Sequence, residues 1–407
     1  MKKISYGKNV YNFKEINAVV KQLKKTTQMG KSVFLFEKKI SKYFKKNYSL
    51  MVNSGSSALM LAFHVLNLNK SDEVITPCLN FGTPISSILQ YNLNPIFVDV
   101  NLNDLQIDID KIEKEITKKT KVFLIPNLIG NIPNWEKIKK LANKYKIKII
   151  EDSADTLGAK IKNIPTGYYS DISITSFYGS HILSCAGNGG MFLTNDKKLY
   201  ERAKVLRSWG RMSTLLKDSE NIKKRLNIKL NGIEYDKKFV FSEQGYNFEP
   251  NEIGAAFGLE QLKKFKKFNH TRNKNFFLHL KFFQKFENFF IIPSILKDVK
   301  TNFLAFPLIV KKNKYFSRKD LQIYLEKNNI QTRPIFSGNI LRHPAFKKLV
   351  NTKNKLKKFK NSDYIMKNGI LIGCHQGLKD TDIKYIHHVI TVFFKKKLNS
   401  FLNEANI

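Results

Sequence analysis

The sequence predicts an α/β fold: a mostly parallel, helix-covered central sheet with a smaller C-terminal α/β domain. Three observations carry this reading. Short apolar runs recur between residues 48 and 150, and helical segments separate them. That alternation suits parallel strands, because each parallel connection must cross over a face of the sheet. A shorter alternation follows a lysine-rich helical stretch, which divides the chain into a large unit over 1–265 and a small one over 266–407.

Taken in order, Val33, Phe36, Ile40 and Phe44 repeat at helical spacing, and 48–52 reads as a short strand. Asn53-Ser54-Gly55-Ser56-Ser57 then opens a helix through 58–63. Its first turn has backbone N–H groups with no internal acceptor, so the segment is either a bare N-cap or an anion site. Further strands are expected at 73–76, 95–100, 121–125 and 148–150, with helical segments near 85–91, 108–117 and 134–145. Ligands on such sheets gather at the C-terminal strand edges, where Pro77-Cys78 and Glu151-Asp152 fall. In the second half a long lysine-rich helix is expected over about 260–287, then a strand over 302–309 and a helix over 319–327. The Thr332-Arg333-Pro334 turn and an amphipathic helix around 385–389 complete the pattern.

At 407 residues and 42% hydrophobic, with 32 Phe and 16 Tyr, the chain can bury a large core. No apolar stretch reaches the ~18 residues of a membrane span, and the opening Met1-Lys2-Lys3-Ile4-Ser5 leads into polar residues, so a cytoplasmic protein is expected. Cys78, Cys185 and Cys374 form no CxxC pair, which supports neither a disulfide framework nor a zinc or iron–sulfur motif; no metal is expected. The net charge is +38, yet the lysines run from Lys2 to Lys397. Runs such as Lys263-Lys264-Phe265-Lys266-Lys267 alternate with apolar anchors as solvated helix faces do. No nucleic-acid-binding motif accompanies them, and anionic small molecules would satisfy the charge equally well.

Several residues carry candidate chemistry. Asp152 directly follows an apolar strand, so it is either a helix cap or a carboxylate awaiting a cationic partner such as a protonated heterocyclic nitrogen. His181 lies in Ser176-Phe177-Tyr178-Gly179-Ser180-His181, just before Gly187-Asn188-Gly189-Gly190, and a histidine moves protons near neutral pH. His387 and His388 are expected to be ordinary polar groups. Phe81 reads as core or as a ring-stacking residue, and Arg333 as a surface turn or an anion clamp.

In combination these motifs resemble the DegT/DnrJ/EryC1/StrS group of sugar aminotransferases and dehydratases over about residues 25–380. The resemblance implies a fold-type I pyridoxal-phosphate-dependent transferase. Gly55, Ser56 and Ser57 would hold the cofactor phosphate, Phe81 would stack on its ring, and Asp152, within Glu151-Asp152-Ser153-Ala154-Asp155, would pair with its pyridine nitrogen. Asp155 and Ser176 fall in the same cofactor-contacting motifs. Gly245-Tyr246-Asn247 is similar to the loop through which a neighbouring subunit reaches the phosphate, implying a homodimer with shared sites. Arg333, His343 (before Pro344) and His375 (in Gly373-Cys374-His375-Gln376) match motifs that imply sugar-nucleotide contacts.

Four residues after Phe177, where the aminotransferases keep the lysine that binds the cofactor, this chain has His181. The same substitution marks the 3-dehydratases of 4-keto-6-deoxyhexoses, of both the GDP-sugar type and the iron–sulfur CDP-sugar type. The cluster cysteines of the latter are missing here, Ala154 standing at one ligand position. The resemblance therefore implies 3-dehydration without an iron–sulfur cluster. Pyridoxamine or pyridoxal phosphate would be held noncovalently, a nucleotide-linked keto sugar would be the substrate, L-glutamate would renew the amine and His181 would be the proton carrier. Two positions depart from the family pattern: Phe248-Glu249 replaces a usual basic residue, and Asn188 stands where Asp or Glu is common.

Overall fold

A computed structural model describes residues 3–216, 218–349 and 356–405, with side chains as far as Lys397. The apolar runs become strands β1 Tyr48–Val52, β2 Glu73–Pro77, β3 Asn94–Val98, β4 Thr120–Pro126 and β5 Lys148–Asp152. Two further strands, β6 Ile172–Ser176 and β7 Gly190–Thr194, complete a seven-stranded sheet of order β1-β7-β6-β5-β4-β2-β3. Neighbours from β3 to β6 pair in parallel, whereas β7 runs antiparallel to both β6 and β1. The strands are buried on both faces, as a helix-covered sheet requires.

The covering helices follow from their apolar spacing. They are α1 Phe13–Leu23, α2 Lys31–Phe44, α3 Gly55–His64, α4 Gly82–Gln90, α5 Trp135–Tyr145, α6 Lys197–Arg207 and α7 Glu252–Lys263. α2 buries Val33, Phe36, Ile40 and Phe44, the residues that predicted it. α5 buries Trp135, Ile138 and Ala142, and Asn134 caps it by accepting from the Lys137 N–H. The helix expected over 108–117 is only Ile109–Ile112 followed by a 3₁₀ turn, Glu113–Glu115.

The long helix expected over 260–287 is instead two. α7 ends at Lys263, and α8 runs Phe265–Gln284. The joint has a local cause: Lys264 donates from Nζ to the fully buried Glu15 carboxylate at 2.5 Å and to Asn12 at 3.0 Å, which ties the break to the start of α1. After α8 come β8 Phe290–Ile291, β9 Ala305–Val310, α9 Arg318–Lys327, α10 Lys360–Asn368, β10 Gly369–Gly373 and α11 Asp380–Ala405. The small antiparallel sheet has order β8-β9-β10 over an aromatic core that includes Phe283, Phe290, Phe306 and Phe316. β9 begins at Ala305, later than expected, because Asn302 turns its side chain to Leu157 and Thr156 instead of pairing as a strand residue. The extended segment at Ile4 joins this half of the molecule, exchanging backbone hydrogen bonds with Asn329 and Gln331. Among the described residues no helix is long and apolar enough to cross a membrane.

β7 meets the turn after β1 at very close range. A Cβ on Gly190 would stand 2.3 Å from the Ser54 carbonyl carbon, a backbone atom that cannot rotate away. Gly190→Ala should therefore displace the Ser54–Gly55 turn and lower stability by ~1–3 kcal/mol, the usual range for overpacking. A urea midpoint equal to wild type would contradict this.

Candidate active site

The C-terminal ends of β1, β2, β4, β5 and β6 open onto one cavity of about 460 Å³, closed on the far side by Leu304, Arg333, Phe336 and Leu371 of the small half. Gly55, Ser56, Phe81, Asp152, Asp155, Ser176, His181 and Arg333 all line it.

The turn after β1 is built by its own hydroxyls. Ser54 caps α3 by accepting from the Ser57 N–H at 3.1 Å, and the Ser57 hydroxyl donates to Asn53 Oδ1 at 2.6 Å. Ser57 is thus buried support beneath the turn, whereas Gly55 and Ser56 form its cavity face. Gly55 is required by proximity, since a Cβ there would lie 2.9 Å from the Ser176 Cβ.

At the end of β5 successive side chains take opposite sides, as the strand period dictates. Glu151 is fully buried beneath the sheet edge and accepts from Asn127 Nδ2 at 3.0 Å and from the hydroxyls of Ser153 and Ser173 at 2.8 and 2.6 Å. Asp152 faces the cavity, and its one protein donor is the Ala154 N–H at 3.0 Å. Burial, and then Glu151 beside it, pushes the Asp152 carboxyl up to about 6. Asp155 accepts from the Ile129 N–H at 2.9 Å, and burial followed by Asp152 raises it to about 7. Two underpaired carboxylates therefore face one cavity, an arrangement that a cationic ligand relieves. Phe81 precedes α4 and is 59% exposed, which excludes the core reading and leaves its ring face open at the cavity.

His181 follows a tight turn, its N–H donating to the Tyr178 carbonyl at 3.0 Å. Its ring meets Tyr178 edge-on at 5.8 Å, and Nδ1 is buried with no hydrogen-bond partner. Burial drives the imidazole down to about 4, a hydrogen bond to the Ser176 backbone opposes this, and Arg272 adds to the downward push. The ring is neutral at physiological pH and able to take a proton. Among the described residues no lysine lines the cavity.

Three residues expected at this chain's own site do not line it, nor does Asn247, which is expected to serve the partner's site. Ser57 is the first. Asn247 is exposed, and its carbonyl accepts from Asn53 Nδ2 of the same chain at 3.3 Å. His343 donates from Nε2 to the Ser337 carbonyl at 2.6 Å. His375 is buried; Nδ1 accepts from the Gly377 N–H at 3.1 Å, so Nε2 carries the proton and donates to the Ser5 carbonyl at 3.0 Å. It acts as a fastener for the N-terminal segment, whose next residue, Tyr6, does line the cavity. Sequence reasoning missed Tyr6, because no periodicity marks an isolated extended segment. Tyr178 was within reach, lying inside the quoted 176–181 motif. Among the described residues no three His, Cys, Asp or Glu side chains gather as a metal site.

A ligand cavity at the C-terminal strand edges, with a buried Asp on one wall and an open aromatic face on another, defines an α/β enzyme of the pyridoxal-phosphate-dependent aminotransferase fold. The chain belongs to the DegT/DnrJ/EryC1/StrS aminotransferase family, which it matches over residues 11–391. It is 31% identical over 393 residues to the GDP-4-keto-6-deoxy-D-mannose 3-dehydratase of Escherichia coli O55:H7, covering 93% of this chain and 96% of that one. It is 29% identical over 308 residues to the GDP-perosamine synthase of Escherichia coli O157:H7, covering 75% and 77%. The solved structure of an E. coli GDP-4-keto-6-deoxy-D-mannose-3-dehydratase with bound hydrated PLP superposes with a TM-score of 0.84 at 29% identity, covering 96% of this chain and 99% of that one.

The raised Asp152 carboxyl has a consequence for folding. An acid whose folded pKa lies above its unfolded value binds protons more tightly when folded, so stability falls as pH rises from about 4 to about 6. Asp152→Asn keeps the acceptor for Ala154 and removes the charge. In the ligand-free protein it should abolish that loss, worth on the order of 3 kcal/mol, as read by urea unfolding at pH 4.5 and 7.5. Equal pH dependence in variant and wild type would show that the carboxylate is not underpaired.

Proposed function

We propose that this protein removes the C3 hydroxyl of a nucleotide-linked 4-keto-6-deoxyhexose in a pyridoxamine-phosphate-dependent reaction in the cytoplasm, giving the 3-deoxy-4-keto sugar, with L-glutamate restoring the amine form. The observation that carries this reading is the placement of His181 on a cavity wall that has no lysine among the described residues. A cofactor there has nothing to be tethered to, and the residue nearest the tether position is a base.

The cavity fits the cofactor. Asp152 is a buried carboxylate short of partners, the counterpart of a protonated ring nitrogen. Phe81 offers an exposed ring face, and Gly55 and Ser56 bring the first turn of α3 to the wall. From the far side Arg333 brings a guanidinium of the small half to the same cavity, a group suited to an anion. When bound, the cofactor supplies an amine for the sugar ketone and a conjugated ring that takes up an electron pair. His181, neutral at physiological pH, would take up the proton released next to the reacting amine and, then charged, would donate it to the departing C3 hydroxyl. A homodimer fits the exposed Phe13, Ile16, Leu23 and Phe34 of α1 and α2, and it would let Asn247 of the partner subunit reach the phosphate.

A second reading, amino transfer to the same class of sugar, is favoured by the perosamine synthase likeness. Product mass separates the two: loss of the C3 hydroxyl as water, hydrolysis at C4 and loss of ammonia replace that hydroxyl by hydrogen, a net loss of one oxygen whose two electrons come from glutamate, while transfer turns the C4 ketone into an amine. Incubation with a panel of nucleotide 4-keto-6-deoxyhexoses, glutamate and cofactor should show a sugar lighter by one oxygen, with 2-oxoglutarate and ammonia formed. His181→Asn should retain cofactor and lower turnover ~10²-fold or more; an undiminished rate would remove His181 from the reaction. His181→Lys should abolish dehydration and let borohydride fix a pyridoxyl mass to the protein, a mass that the wild type should not acquire.

The third expectation concerns electrons. With Cys78, Cys185 and Cys374 buried apart, the purified enzyme should carry no stoichiometric iron and should turn over without a reductase. Strict dependence on an added iron–sulfur reductase would overturn that part of the proposal.

A further inference from the structure

Arg272, on the inner face of α8, is fully buried. Its Nη1 donates to the carbonyls of Phe303 and Leu304, both at 3.0 Å, and its Nη2 to the His181 carbonyl at 3.3 Å. Nε has no partner, and among the described residues no carboxylate pairs with the guanidinium. A buried cation without a counter-ion costs several kcal/mol, and the helix face around it is otherwise aromatic, with Phe268 and Phe276 buried nearby in sequence. An apolar side chain would fill such a place at lower cost. What Arg272 does that an apolar residue cannot is hold three carbonyls at once, one on the His181 turn and two on the segment entering β9.

With His181 read as the base of the proposed reaction, we propose that Arg272 is its positioning residue: the guanidinium fixes the His181 main chain against residues 303–304 and sets a positive charge with no counter-ion behind the imidazole. The charge opposes protonation of the ring, so the proton-accepting form persists at lower pH, in the direction of the Arg272 contribution to His181. The other titratable or charged groups lining the cavity with His181 are Asp152, Asp155, Tyr6, Tyr178 and Arg333. Of the charges around the cavity, the one that bears on the ring is that of Arg272. Asp155 and Arg272 also bear on Tyr6 with opposite signs. The contact spans both halves of the molecule, since His181 belongs to the β6–β7 connection and Leu304 leads into the small sheet. One side chain thereby holds the base's turn and the entry to the small sheet together.

The test uses cofactor-loaded enzyme with Arg272→Gln and Arg272→Lys. Titration of the His181 ring is followed by NMR on ring-labelled histidine, assigned with His181→Asn. Arg272→Gln should move the His181 midpoint upward by about one pH unit, the size of a single nearby charge. The acid limb of kcat/KM should move upward with it, because the neutral base appears only at higher pH. Arg272→Lys should leave the midpoint near wild type and lower kcat about tenfold with KM little changed, since it keeps the charge and cannot hold three carbonyls. A folded, cofactor-bound Arg272→Gln with an unmoved His181 midpoint overturns the electrostatic half, and Arg272→Lys with wild-type kcat overturns the positioning half. Should Arg272→Gln fail to fold, the neutral Arg272→Met takes its place: a His181 midpoint about one unit above that of Arg272→Lys supports the charge effect, and equal midpoints overturn it. The NMR titration reads Arg272 whatever the product, so an enzyme that transfers amine instead of losing water refutes the dehydration reading and leaves this one standing.

Discussion

The antiparallel passage of β7 between β1 and β6 is the constraint from which the site follows. It brings Gly190 against the Ser54–Gly55 backbone and Gly55 against Ser176 at distances where no Cβ fits. The turn after β1 is therefore locked to β7 through main chain, and to the strand that leads to His181 through the Ser176 Cβ. Because β5 lies on the other side of β6, Asp152 stands across the same opening. Three walls of the cavity are positioned by one sheet, and the geometry needs no loop to be held by a ligand.

The charges around the cavity are arranged against their own stability. Asp152 and Asp155 are buried with one backbone donor each, and Arg272 is buried with carbonyls only. None of these charges is paired with another across the cavity within ion-pair distance, although such pairing is the cheapest arrangement for buried ions. The carboxylates face the space where a cation belongs, and the guanidinium sits behind a neutral imidazole. Elsewhere the protein does pair its buried ions: Arg207 meets Glu37 at 3.3 Å, and Lys264 meets Glu15 at 2.5 Å. The contrast separates ions that serve the fold from ions that wait for a ligand.

Much of this was legible in the sequence, for identifiable reasons. Parallel strands such as β2 and β4 carry buried apolar centres, Val74-Ile75 and Val122–Ile125, and α2 and α5 carry a regular apolar stripe. Asp152 stood out because it breaks the apolar pattern of the strand it ends, and Gly55, Phe81 and His181 because each lies in a turn beside an element's end. What failed was context. The break at Lys264 depends on Glu15, some 250 residues away in sequence, and a helical stretch gives no hint of it. β6 and β7 flank a polar, glycine-rich connection that reads as loop. The histidines at 343 and 375 lie in the motifs that resemblance selects, yet their rings are committed to backbone carbonyls. Motif position located them near the site, and only hydrogen-bond accounting shows that they support it from behind.

Replacing a tethering lysine by histidine changes what the rest of the cavity must do. A covalent link would hold the cofactor whatever the walls contributed; on the proposed function there is none, and retention would fall to Asp152, Phe81 and the α3 turn, each worth on the order of one to a few kcal/mol. Such a site must be closed from outside as well as complementary within. The N-terminal segment provides that closure, because Ile4 pairs with the 329–331 backbone, His375 fastens Ser5, and Tyr6 completes the wall. Arg272 ties the same small half to the His181 turn. On the proposed function, the segment that would close the cavity and the turn that carries the proton-moving group are both tied to the small half, so loosening that half should disturb retention and proton transfer together.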